Sequence, residues 1–373
     1  MQSWPTHILR YSSHLVLARA LLAFAATWAC VDAHALEWQV DITPAGELFP
    51  ALQLSQAPRA GTAGDGLVSV RVHGADIPAD LRVRIETPGL REPAVAQATG
   101  SHGDAGLELR PRLHWDIAQL RRLGGPRRQA MQVTLEAGGR AIEVRRVQVR
   151  LHPLDDALYY VREGRDRVDL DWAFAGYVNP HDPVVDDVLA AARTFDPVID
   201  TGTPNREADT DLRQAAAVWA ALEQRGLRYA DGDPALSRGP TVWSQRVRLL
   251  GEVWRDRRAN CIDSSILIAA VLERLGLRPF IILVPGHAFV GFGGDARLGT
   301  AQYLETTLLG ARSSTKMNFA AARRAGQARW RSVAATFRGR HGPAYALIDI
   351  GTARAYGIIP LAADADAVTS GSR

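Results

Sequence analysis

Two periodicities divide the chain. From Leu36 to about His152, apolar residues alternate with polar ones in short runs punctuated by Gly, Pro and Asp, as in Leu67-Val68-Ser69-Val70-Arg71-Val72 and Leu81-Arg82-Val83-Arg84-Ile85. A period of two sends successive side chains to opposite faces, so one face enters a core and the other meets water. Met131-Gln132-Val133-Thr134-Leu135 and Ile142-Glu143-Val144 continue the pattern. Gly138-Gly139 between them predicts a tight hairpin, because such turns need positive φ. Residues 36–153 are therefore expected to form a small antiparallel β-sandwich of immunoglobulin-like type.

After a charged stretch at 154–170, expected to be a connector, the period becomes helical. Asp182-Pro183 supplies an N-cap and a first-turn proline for a helix through Val184, Val185, Val188 and Leu189. A second helix is predicted from about Asp209, with Leu212, Ala216, Trp219, Ala220 and Leu222 inward and Gly226 at its end. The Gly, Pro and Asp content of Asp231 to Pro240 predicts a loop. An apolar helix then starts at Cys261 and closes at Gly276. Phe280 to Val284 is predicted as a strand, Pro285-Gly286 as a turn, His287 to Phe292 as a second strand and Tyr303 to Leu308 as a third. The expected fold class is α+β.

The length of 373 residues, 47% of them hydrophobic, exceeds one ordinary domain, and two are expected. Charge adds little: 44 basic against 40 acidic residues leave +4, and Lys316 is the only lysine. The arginines at Arg145–Arg150 and Arg255–Arg258 are interrupted by other residues, so they are read as solvated faces and no nucleic-acid partner is expected. The first 35 residues change the picture more. Arg10 precedes an apolar run from Leu15 to Ala29, and Ala33-His34-Ala35 follows. This predicts a secretory signal peptide over 1–35, cleaved after Ala35, and a periplasmic or secreted mature chain without a transmembrane segment. A retained N-terminal anchor is the alternative, while bulky Trp28 argues against lipid attachment at Cys30. Residues 361–373 are expected to be a flexible tail.

Removal of that peptide leaves Cys261 as the only cysteine. A lone thiol in an oxidising compartment favours a chemical role or deep burial. At the start of a helix, the positive end of the dipole and the unpaired N–H groups favour thiolate over thiol. A thiol nucleophile needs a base, for which His287 is the candidate, and the imidazole needs an acceptor on its other nitrogen, for which Glu305 is the candidate. Asp263, in the first turn, is read as a capping carboxylate. The backbone N–H of Cys261 and the side chains of Gln245 and Trp243 are candidate oxyanion donors. No zinc-ligand spacing, Gly-Lys phosphate motif or serine elbow occurs, so neither metal nor cofactor is expected. His73, His102 and His114 stand apart and are read as surface or structural residues.

Asn260-Cys261-Ile262-Asp263, Leu275-Gly276-Leu277-Arg278-Pro279, Val284-Pro285-Gly286-His287-Ala288-Phe289-Val290-Gly291 and Leu304-Glu305-Thr306-Thr307 together resemble the bacterial branch of the transglutaminase-like superfamily. That family's core runs Cys at a helix start, His on a strand, then Asp, or less often Asn or Glu, on the next. The resemblance is sharp over about Gln245 to Leu309, weaker from Trp172 to Pro360, and absent from the β-rich half. It implies a papain-like catalytic domain at 171–360, with a Cys helix packed on an antiparallel sheet. It further implies Cys261 as nucleophile, His287 as base and Glu305 as orienting carboxylate in attack on an amide of a protein or peptide substrate. Hydrolysis is expected before amine transfer, because bacterial members are often hydrolases. The competing expectation is an exported binding or scaffold protein that keeps the core without the chemistry.

Overall fold

A computed structural model describes residues 36–361 apart from 58–66, 75–76, 99–105, 198, 200–207, 232–235, 239–240, 295–299, 311–314 and 339–344. The expected signal peptide, Cys30, His102 and the tail beyond Leu361 lie outside the described residues. From Leu36 onward the chain groups into one compact unit with helices and mostly antiparallel sheets, an α+β arrangement.

Near the N-terminus, Glu37–Ile42, Val68–His73 and Leu107–Leu109 form one sheet. Glu47–Leu48, Arg140–Leu151, Arg127–Ala137, Arg82–Glu86 and Ala94–Gln97 form another. The alternating apolar positions meet in one cluster: Val68, Val70 and Val72 from the first sheet, and Val83, Ile85, Met131, Val133 and Leu135 from the second. The long hairpin turns at Gly138 and Gly139, whose φ values of 56° and 72° are those the sequence demanded.

The segment expected to be a connector is instead a hairpin. Asp156–Glu163 and Asp166–Asp169 pair antiparallel around Gly164, and they join Val242–Arg246 and Leu236–Arg238 in a four-stranded sheet. The last of these strands falls within the stretch expected to be loop. Charge at the hairpin's ends and turn masks an apolar centre, in which Leu158 and Val161 enter the N-terminal cluster while Ala157 enters the C-terminal one. Trp172 packs against both clusters. The hairpin is thus a shared wall, not a linker.

Where the last N-terminal strand reaches this wall, His152 is fully buried. Its Nδ1 lies 2.7 Å from Asp156 Oδ2 and its Nε2 2.6 Å from Glu47 Oε2, with the ring stacked on Phe49. Carboxylates accept only, so a doubly protonated ring satisfies both partners. Burial opposes the imidazolium, but the hydrogen bonds to Asp156 and Glu47 outweigh it and raise the pKa.

In the C-terminal part a sheet in the order Gln302–Leu304, His287–Phe292, Pro279–Val284, Ala346–Asp349 is antiparallel throughout. Pro279–Val284 is buried along its whole length, which explains its unbroken apolar run. One sheet face meets the Cys261–Arg274 helix. The other carries Phe280, Phe289 and Tyr303 toward the Thr315–Arg338 helix, whose Trp330 stacks on Tyr303 at 4.9 Å. Gly326 lets that helix approach, since a Cβ there would stand 2.6 Å from the Tyr303 carbonyl oxygen. Two segments distant in sequence also clasp: Ala57 N–H donates to Gly357 O and Ile359 N–H to Ser55 O, both at 2.8 Å. Among the described residues no helix is long and apolar enough to cross a membrane.

Candidate functional site

Cys261 is the first residue of its helix, and the cap before it is complete. Asn260 Oδ1 accepts from the N–H groups of Ile262 and Asp263 at 3.0 and 2.9 Å. Asp263 returns the contact to Asn260 N–H at 3.2 Å, a closed capping box. Asp263 is buried and also accepts from Arg248 N–H at 3.0 Å, so its carboxyl ties the helix start to the incoming chain. Burial nonetheless pushes its pKa up. Ser265 Oγ and Thr306 Oγ1 donate to the Cys261 carbonyl at 2.6 and 3.3 Å, fixing the residue from behind.

His287 opens its strand directly after the Pro285-Gly286 turn, where Gly286 takes φ 70°. Glu305 lies one residue past the end of Gln302–Leu304. The strand is shorter than expected, because the Glu305 carboxylate accepts from Thr307 N–H and caps a short turn of 3-10 helix at Thr306–Leu308. The two side chains meet: His287 Nε2 is 3.0 Å from each Glu305 oxygen. An acceptor-only carboxylate assigns a proton to Nε2. The Cys261 side chain acts electrostatically on His287 and raises its proton affinity, so thiol, imidazole and carboxylate belong to one site.

The electrostatics follow from that grouping. Burial disfavours the imidazolium, but hydrogen bonds to Cys261 and Glu305 and their negative charge outweigh it and raise His287 to about 9. Burial likewise opposes ionisation of Glu305, yet the hydrogen bond and charge of His287, followed by the Thr307 hydroxyl at 2.8 Å, hold it down at about 2.

Gln245 and Trp243 fall on the Val242–Arg246 strand of a different sheet. Trp243 stacks on Tyr160 at 5.1 Å, and its Nε1 is buried without a partner among the described residues. Gln245 pairs in register with Ala157, and neither side chain hydrogen-bonds to Cys261 among the described residues. The site includes two residues that sequence reasoning passed over. Tyr229, on the short parallel ribbon Arg228–Tyr229 with Arg258–Ala259, donates to Asp231 at 2.8 Å. Burial, that hydrogen bond and the charges of Cys261, Asp231 and Glu305 push its pKa up, so it stays a phenol beside the thiol. Arg329, from the Thr315–Arg338 helix, donates through Nε to Glu305 Oε2 at 2.7 Å. The signal that could have found it is Gly326 inside a helical pattern, which marks close backbone approach.

A scan against protein-family models finds no match, and a search of curated proteins returns no significant match.

Proposed function

We propose that the protein is an exported thiol enzyme of transglutaminase-like type, with a β-sandwich ahead of a papain-like core, that hydrolyses amide bonds through an acyl-enzyme. The observation that carries this reading is the His287 imidazole bound to the Glu305 carboxylate at 3.0 Å and coupled electrostatically to the Cys261 thiol at a helix start. With His287 raised to about 9, the imidazole carries a proton at neutral pH, ready for a leaving group. Cys261 Sγ attacks the carbonyl carbon, and the C–N bond breaks as His287 gives its proton to the departing nitrogen. Water then yields a proton to His287 while its oxygen attacks the thioester, releasing the acid and restoring the thiol. Ile262, Asp263 and Ser264 N–H groups are engaged by Asn260, which supports assigning the developing oxyanion to the N–H of Cys261 itself.

The test is alkylation of Cys261 by iodoacetamide. The wild type is expected to react faster than a free cysteine at mildly acidic pH, and His287→Ala is expected to lose most of that advantage. Cys261→Ala is the blank. The His287-dependent part should fade as pH rises through about 9, where the imidazolium loses its proton. Equal rates in folded wild type and His287→Ala would instead favour a scaffold that keeps the core without its chemistry. Export is tested separately: mass analysis of the mature protein should find its first residue at Leu36, and an intact Met1 would exclude the proposed cleavage.

A further inference from the structure

Glu305 is a buried carboxylate with two cationic neighbours, not one. Its side chain is 5% exposed, and while His287 reaches both oxygens, Arg329 Nε–H binds Oε2 at 2.7 Å from a side chain that is 43% exposed. The helix that carries Arg329 grips the same residue through the backbone, since Glu305 N–H donates to Ala322 O at 3.0 Å. Gln327 Nε2–H donates to Ala301 O at 3.2 Å, and Gly326 brings the two backbones together. Arg329 is therefore delivered to one oxygen by three supporting contacts along the segment from Ala301 to Glu305.

Resting on the thiol-enzyme reading, we propose that Arg329 is a positioning residue that balances the charge of Glu305 and thereby sets how tightly His287 holds its proton. A thiolate, an imidazolium and a carboxylate sum to one negative charge in a largely buried site, and the guanidinium brings the sum to zero. Among the described residues, two further ionisable groups near the site offer no substitute: Tyr229 is a neutral phenol bonded to Asp231, and Asp263 is occupied in the helix cap. Removing a cation from such a site makes the His287 proton harder to lose. Simple loss of support for Glu305 would act differently, releasing His287 and lowering its proton affinity.

The experiment is the pH profile of Cys261 alkylation by iodoacetamide in wild type, Arg329→Gln and Arg329→Lys, with circular dichroism to establish folding. Arg329→Gln is expected to shift the alkaline, His287-dependent limb upward by about half a pH unit, the scale of a half-exposed ion pair. Arg329→Lys, which keeps the charge, should hold that limb near the wild type. An alkaline limb that is unmoved in Arg329→Gln, or that falls, would overturn the proposal. Should Arg329→Gln not fold, high salt applied to the wild type screens the half-exposed guanidinium and should raise the same limb; a limb indifferent to salt would also overturn it. A wild type without His287-dependent reactivity would count instead against the thiol-enzyme reading, whatever Arg329 does.

Discussion

Glu305 combines several contacts in one residue: its N–H holds the Thr315–Arg338 helix, and its carboxylate caps the following turn and orients His287. Glu305→Gln removes the charge that supports the imidazolium, so His287 should titrate well below its present value of about 9, toward the ordinary ~6.5, as read from imidazole NMR shifts. Because His287 is raised, its contribution to stability is complete below the unfolded value of ~6.5 and is lost as pH rises through about 9. Glu305 is lowered, so its contribution is complete above the unfolded value of ~4.3 and is lost as pH falls through about 2. Urea denaturation of wild type and Glu305→Gln should therefore differ most near neutral pH and draw together both as pH rises through about 9 and toward strong acid. The cap gives a second residue-scale expectation: Asn260→Ala strips acceptors from two N–H groups and should cost about 1 kcal/mol, measured by denaturant midpoint.

Elements whose periodicity met a single core were legible in the sequence, and those defined by tertiary contact were not. The helix at Cys261, the strand opened by His287 and the Gly138-Gly139 hairpin follow from capping, alternation and turn chemistry that act within a few residues. Alternation was less informative at Ile142-Glu143-Val144, where Ile142 and Val144 are half exposed near the hairpin tip, beyond the core that the same strand lines further on. The Asp156–Glu163 strand was hidden because charges at its ends outweighed its apolar middle. Arg329 was hidden because nothing local distinguishes it from its neighbours on an arginine-rich helix; its role exists only once Gly326 brings that helix onto Tyr303. Gly326→Ala is a direct probe of this docking. A methyl group 2.6 Å from a backbone oxygen must displace the helix, so the variant should lose about 1–3 kcal/mol of stability and part of its Cys261 reactivity together.

At the scale of the molecule, the hairpin wall and Trp172 belong to two cores at once, so neither core is complete alone. Calorimetry should accordingly show one unfolding transition, and two resolved transitions would refute the shared wall. His152 fastens the same joint. His152→Leu leaves the carboxylates of Glu47 and Asp156 facing each other without a cation and should cost about 3–5 kcal/mol. Since the His152 pKa is raised, its support is complete below ~6.5 and fades as pH rises through the folded value, so thermal stability should fall on the alkaline side and fall less in the variant. The clasp of Ser55 and Ala57 with Ile359 and Gly357 also bears on how the chain is made. On a ribosome, the first of these residues emerge long before their partners are synthesised. The nascent polypeptide cannot close this clasp until Gly357 and Ile359 have themselves emerged, so the early segment waits for a partner made about 300 residues later.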